Sequence, residues 1–274
     1  MTTKRNPIRS WPDATRGFIL NRLVALGLPV ACLAGTASAA TQYWDTNGPT
    51  AGAGGSTPTG TWGIDNYWST SSAGTAATGG WGSGNAAIFS AGTDATGTFS
   101  IAVDSTQTAS SLTFEEGTVS LSGGTITLSG AGAGVAVNAG RVAAIGSVIA
   151  GSSGVLKTGA GELILSGANT FTGNLTNRAG VVTFSHNQSA STGIIVVDNT
   201  APVVLHNSQP LTTLTNNILL RASGSTVDVA VDSGTTFELT GVISGSHPWS
   251  AIGLGTIKLG GVSEDDTYVP ALQT

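Results

Sequence analysis

Short runs of Val, Ile, Leu and Phe recur along this chain on a quick beat, and glycine marks most of the breaks between them. Leu112–Phe114, Val119–Leu121, Thr125–Leu128, Val135–Val137, Arg141–Ile145, Val148–Ile149, Val155–Lys157 and Leu163–Leu165 begin about six to nine residues apart. Runs so short and so closely punctuated leave no room for helices and predict strands joined by tight corners. Three such pieces make about 21 residues, one coil of a three-faced parallel solenoid whose strands pair with their equivalents one coil below. Where a run is long enough, alternation shows: in Thr226–Asp232, Val227, Val229 and Val231 share one face while Asp228, Ala230 and Asp232 share the other. The valines are expected inside and the carboxylates in water. Ile194–Asp198 and Val203–His206 read as strands around a turn at Thr200-Ala201-Pro202. Leu211–Arg221 has some helical spacing, but its threonines and Asn216-Asn217 predict strand, turn, strand.

The beat sets boundaries. Residues 1–39 read as a secretory signal peptide: Lys4, Arg5, Arg9, Arg16 and Arg22 are basic, Leu23 to Ala34 form a short apolar core, and Ala37-Ser38-Ala39 offers a small-residue cleavage site. That core is too short to span a bilayer as a helix, so no transmembrane segment is expected in the mature chain. Residues 40–100 are rich in Gly, Thr, Ser and Ala and hold Trp44, Trp62, Trp68 and Trp81. A stack of coils has raw ends that need apolar cover, so this segment is expected to be an irregular N-terminal cap. Residues 101–262 form the expected parallel β-helix. In 263–274 the rhythm is lost, as in a frayed or truncated tail.

One segment carries a more specific signal. Lys157-Thr158-Gly159-Ala160-Gly161, then Leu163-Ile164-Leu165-Ser166-Gly167-Ala168-Asn169-Thr170-Phe171-Thr172-Gly173, then Ala179-Gly180 before a strand follow the order K-T-G-x-G-x-L-x-L-S-G-x-N-T-[YF]-T-G and A-G-x-L. Residues 154–184 thus resemble one copy of the autotransporter-associated β-strand repeat, departing from it at Asn174-Leu175 and Val181-Val182. The resemblance implies an all-β, right-handed parallel β-helix that is exported as a passenger, displayed at or released from the bacterial surface, and able to assist its own secretion by folding progressively. Proteins of this class usually end in a membrane β-barrel. Nothing after Ser250 has a barrel's repeated long alternating strands, so a truncated product or a separate outer-membrane translocator is expected.

Charge narrows the partners. Without the leader, five basic residues remain (Arg141, Lys157, Arg178, Arg221, Lys258) against fourteen acidic ones, a net charge near −9. With no basic stripe to neutralise phosphates, nucleic acid is not an expected partner. Cys32 lies in the leader, so the mature chain is expected to hold itself by burial and backbone pairing, without disulfides.

The search for chemistry finds little. Glu115 and Glu116 are strand neighbours and point to opposite faces. Asp228 and Asp232 share a face but stand roughly 13 Å apart, beyond the ~5–9.5 Å that glycoside hydrolysis uses. His186, His206 and His247 have no second ligand at metal spacing and read as surface turn residues. No Ser sits in G-x-S-x-G, Lys157-Thr158 lacks the glycine of a phosphate loop, and the calcium nonapeptide does not occur. No catalytic residue, metal or cofactor is expected, and a polysaccharide lyase or hydrolase is the least favoured reading. Trp62, Trp68 and Trp81 are the candidate glycan-binding residues, since exposed rings stack on sugars; burial in a cap is the reading preferred for them. The expected role is therefore a structural passenger scaffold, with an adhesin or carbohydrate-binding module, facing a surface glycan or a host or matrix ligand, as the alternative.

Overall fold

The computed structural model describes Thr2 and residues 39–130, 133–199, 201–221 and 226–261, with the backbone of Ala271–Leu272. The expected leader, its Cys32 and nearly all of the expected tail lie outside the described residues. The account below concerns the unit from Ser38 onward.

Among the described residues the secondary structure is all strand, and nearly every ladder is parallel. Two ten-stranded sheets form two long faces. On the first, Ala86–Ile88, Ser111–Phe114, Gly134–Val137, Val155–Thr158, Leu175–Asn177, Ile195–Val197, Ile218–Leu220 and Ile243–Gly245 follow one another in register. The second runs through Thr98–Val103, Thr118–Ser122, Val142–Ile145, Glu162–Leu165, Gly180–Phe184, Val203–Asn207, Val227–Val231 and Ser250–Gly253. Each strand pairs with the strand one coil on: Ser111 with Gly134, Gly134 with Leu156, Val155 with Leu175 and Leu175 with Ile195. This is the expected parallel β-solenoid.

The third face departs from a simple three-strand coil. It consists of two separate three-stranded sheets, Thr106–Ala109 with Thr125–Leu128 and Val148–Ala150, and Leu211–Leu214 with Thr236–Leu239 and Thr256–Leu259. Between them the chain makes turns, and the Ser166–Gly173 portion of the repeat-like segment occupies that gap. Asn169 holds it: its Oδ1 accepts the Ile149 amide at 2.7 Å and its Nδ2 donates to the Ser189 carbonyl at 2.7 Å, so one buried side chain stitches three coils. Thr170 and Thr172 donate their amides to Ile149 and Gly151, and Phe171 is fully buried.

Alternation fills the centre. In Thr98–Val103 exposed and buried positions alternate without a break, and the valines of Val227–Val231 point inward as expected. The inward residues form one continuous cluster from Trp44 to Trp249, including a stacked Phe89–Phe114 pair with ring centroids 4.8 Å apart. Each large aliphatic or aromatic member contributes about 1.5–3 kcal/mol through burial.

One inward position holds a charge. Lys157 is fully buried, and its Nζ donates to the carbonyls of Thr158 (3.0 Å), Gly159 (2.7 Å) and Ala179 (2.9 Å). An ammonium has three protons, and here all three are used. The lysine of the repeat-like segment is thus a clasp that closes one corner onto the next coil. Burial pushes its amine down to about 8.

Candidate functional site

Three regions contain the residues that could act. The first is the tryptophan cluster, at the end of the stack where Thr41–Trp44 and Gly60–Trp62 are the first strands of the two long sheets. Trp68 belongs to a short strand antiparallel to Thr41–Trp44. Trp62 and Trp68 are 0% and 1% exposed, with centroids 5.3 Å apart, and Trp81 is half-buried against them at 5.0 and 4.4 Å. Trp44 completes the group at 5.2 Å from Trp68 and donates its indole N–H to the Pro58 carbonyl. Stacking on a sugar requires an open ring face. Trp62 and Trp68 present none, and only Trp81, whose Nε1 donates to the Thr108 carbonyl, keeps ring surface outside.

The second region is a polar chain across the outer surface of the second face. Thr183 Oγ1 donates to Glu162 Oε1 at 2.5 Å and lies 3.0 Å from His206 Nδ1, while His206 Nε2 lies 3.1 Å from Asp232 Oδ1. His206 is therefore not the turn residue expected from sequence: it sits within Val203–Asn207, facing outward between two carboxylates. Thr183, His206 and Asp232 follow the order of nucleophile, base and orienting acid. Thr183, however, is 1% exposed and its hydroxyl is committed to Glu162, so a substrate has no approach to it. The chain braces four consecutive coils.

Other carboxylates lie outside this polar chain. Asp228 shares the outward face with Asp232 as expected, and burial raises its carboxyl above the usual range. Glu116 accepts the Ala95 amide, and Glu115 is raised by burial and then by the charge of Glu116. Among the described residues, no three His, Cys, Asp or Glu side chains are placed to hold a metal ion, and no helix is long and apolar enough to cross a membrane.

The third region is a groove of about 360 Å³ on the first face, crossing three coils. Leu156, Thr176 and Val196 form its floor, one outward residue from each of three paired strands. Two positions further along these strands lie Arg178 and Asp198, and Arg221 follows on the next coil. Arg178 Nη2 contacts Asp198 Oδ2 at 3.4 Å, with both side chains about half exposed. Arg221 has no ion pair among the described residues. Ser153 and Asn174 form the opposite wall.

These surfaces belong to a chain whose likeness to a known protein is partial and informative. The chain is similar to an autotransporter adhesin. It is 38% identical, over 178 residues, to the adhesin BmaC autotransporter of Brucella suis biovar 1, an alignment covering 65% of this chain. The chain spans about 5% of that adhesin's length. No protein-family model matches the chain, and no solved structure does. The match and the solenoid together support an autotransporter passenger-like chain.

Sequence reasoning missed the groove because its members are scattered. Arg178, Asp198 and Arg221 are separated by 20 and 23 residues and mean nothing as a motif. The only signal available was their recurrence at about one coil, readable once the register of each strand was known.

Proposed function

We propose that this chain is a segment of an exported autotransporter-type adhesin passenger, a non-enzymatic β-solenoid that presents its outer faces outside the bacterial cell. The observation that carries this reading is the uninterrupted pair of parallel ladders in a chain similar to an autotransporter adhesin. A solenoid stabilised only by neighbouring coils can fold progressively as it emerges, each new coil docking on the last. The stitches of Lys157 and Asn169 suit that process, because each ties a coil to an adjacent one. They also give a physical meaning to the lysine and asparagine of the autotransporter-associated repeat, whose pattern residues 154–184 follow. The leader at 1–39 directs export, and the tryptophan cluster closes one end of the core as a cap.

The test is antibody labelling of intact cells that express the full gene, using serum raised against residues 40–262. Labelling that disappears after external protease is expected. A chain found only in the cytoplasm sinks the reading. If adhesion to neutral glycans used the tryptophans, Trp81→Ala would abolish it without loss of fold, since among the described tryptophans Trp81 alone is not buried.

A further inference from the structure

Val196 lies between two inward residues of its strand and so points outward, yet it is only 5% exposed. Neighbouring side chains cover most of it, and its remaining surface opens at the bottom of the groove on the first face. Leu156 and Val196 give that groove an apolar floor; Ser153, Asn174 and Thr176 add hydroxyl and amide groups; Arg178 and Arg221 stand on one rim. We propose that the groove binds a saccharide bearing a carboxylate, its C–H face on Leu156 and Val196, its hydroxyls toward Ser153, Asn174 and Thr176, and its carboxylate toward Arg178 and Arg221. The inference rests on the proposed display of this face outside the cell and names the ligand class that the display would serve.

Charge argues for an anion. The residues after the leader hold five cations, of which Lys157 is buried and saturated, and two of the remaining four stand on this rim. Asp198 lies between the two arginines and contacts Arg178 through a single 3.4 Å approach, so the rim keeps an excess positive charge. In a chain with net charge near −9 this excess has no part in long-range attraction. It acts at contact, where guanidinium forks match carboxylates.

The lining favours a sugar over a peptide. The main-chain groups beneath the groove are already engaged in the ladders joining Val155–Thr158, Leu175–Asn177 and Ile195–Val197, so an extended peptide would find no free backbone to pair with. What remains are short polar side chains that both donate and accept, as sugar hydroxyls require. Asn174 is already oriented, its Oδ1 accepting the Ile194 amide at 3.2 Å. The volume, about 360 Å³, falls in the range of small-ligand sites.

Titration calorimetry of the chain against a galacturonic acid trimer, its methyl ester and a hexaglutamate peptide tests this. The acidic trimer is expected to bind, the ester to bind at least roughly tenfold more weakly, Arg221→Gln and Arg178→Gln each to weaken the trimer roughly tenfold, and Asp198→Asn to strengthen it. Absence of binding at millimolar trimer, equal binding of the ester, an unaffected Arg221→Gln variant, or hexaglutamate binding as well as the trimer would each overturn the proposal. Circular dichroism confirms that the exposed substitutions leave the fold intact. Intact-cell labelling of the Arg178→Gln/Arg221→Gln variant separates this inference from the one beneath it: surface labelling without trimer binding by the unmodified chain defeats only the ligand assignment, and binding without surface labelling defeats only the display.

Discussion

Lys157 shows how much a single residue can carry in this fold. A charge in an inward column, between Val135 and Asn177, is costly unless all its protons find acceptors, and three carbonyls from two successive corners supply them. Lys157→Ala leaves those carbonyls unpaired and opens a cavity, and should lower stability by about 3 kcal/mol in urea unfolding. Lys157→Met fills the space and should cost less. The amine also imposes a pH dependence whose sign follows from its depressed value. Between about 8 and its ordinary 10.5 the unfolded chain keeps a proton that the folded chain has released, so this group makes stability rise with pH across that window and adds no slope below it. Both variants should lose that rise when unfolding is followed from pH 7 to 11; a slope surviving in Lys157→Met would place its origin elsewhere. Nothing in the sequence marks Lys157 as buried. It ends a strand-like run, where a lysine ordinarily faces water, and only the facing of Val155–Thr158, with Val155 and Lys157 inward, puts its amine against carbonyls of its own corner and of the next coil.

At the scale of strands and corners, the legible features were those fixed by local chemistry. The expected strand Thr125–Leu128 is the observed one, and most others differ by a residue at an end, because alternation and glycine punctuation are properties of neighbours in the chain. Gly159 shows why glycine is required at one corner: its φ is +75°, and a Cβ there would lie 2.1 Å from the Val137 carbonyl of the coil before. Gly159→Ala should therefore destabilise by more than the ~1 kcal/mol of a simple helix or strand exchange, read as a drop in urea midpoint with unchanged slope. The stitch of Asn169 makes a second test. Asn169→Ala removes the partners of the Ile149 amide and the Ser189 carbonyl and should cost about 2–3 kcal/mol; Asn169→Asp keeps the acceptor but loses the donor and should fall between. The gap in the third face was not legible. Ser166–Gly173 reads as turns in the sequence, but that two separate sheets flank those turns depends on where later strands return.

The unit from Ser38 onward is a one-dimensional stack in which each coil touches mainly its neighbours, so its stability is a sum of local and nearest-neighbour contributions. Its interior should be best protected where both neighbours are present and the core is fully buried. Hydrogen exchange is expected to be slowest in strands such as Val142–Ile145, Glu162–Leu165 and Gly180–Phe184, and fastest in Ser250–Gly253 and Thr256–Leu259, whose residues are all partly or fully exposed. Uniform protection from end to end would contradict a stack of semi-independent coils. At this scale the division between chain and fold is clear. By itself the sequence determined that the chain is all-β, coiled on a short beat and acidic from residue 40 onward, because periodicity, glycine placement and charge are sums over nearby residues. Only the tertiary structure decided that Trp62 and Trp68 lie inside, that His206 joins Glu162, Thr183 and Asp232 in one polar chain, and that Arg178 and Arg221 share a groove. Those arrangements depend on register between paired strands, 19 to 25 residues apart along the stack and 41 at Trp62. One residue of slip would turn each of these side chains to the opposite face.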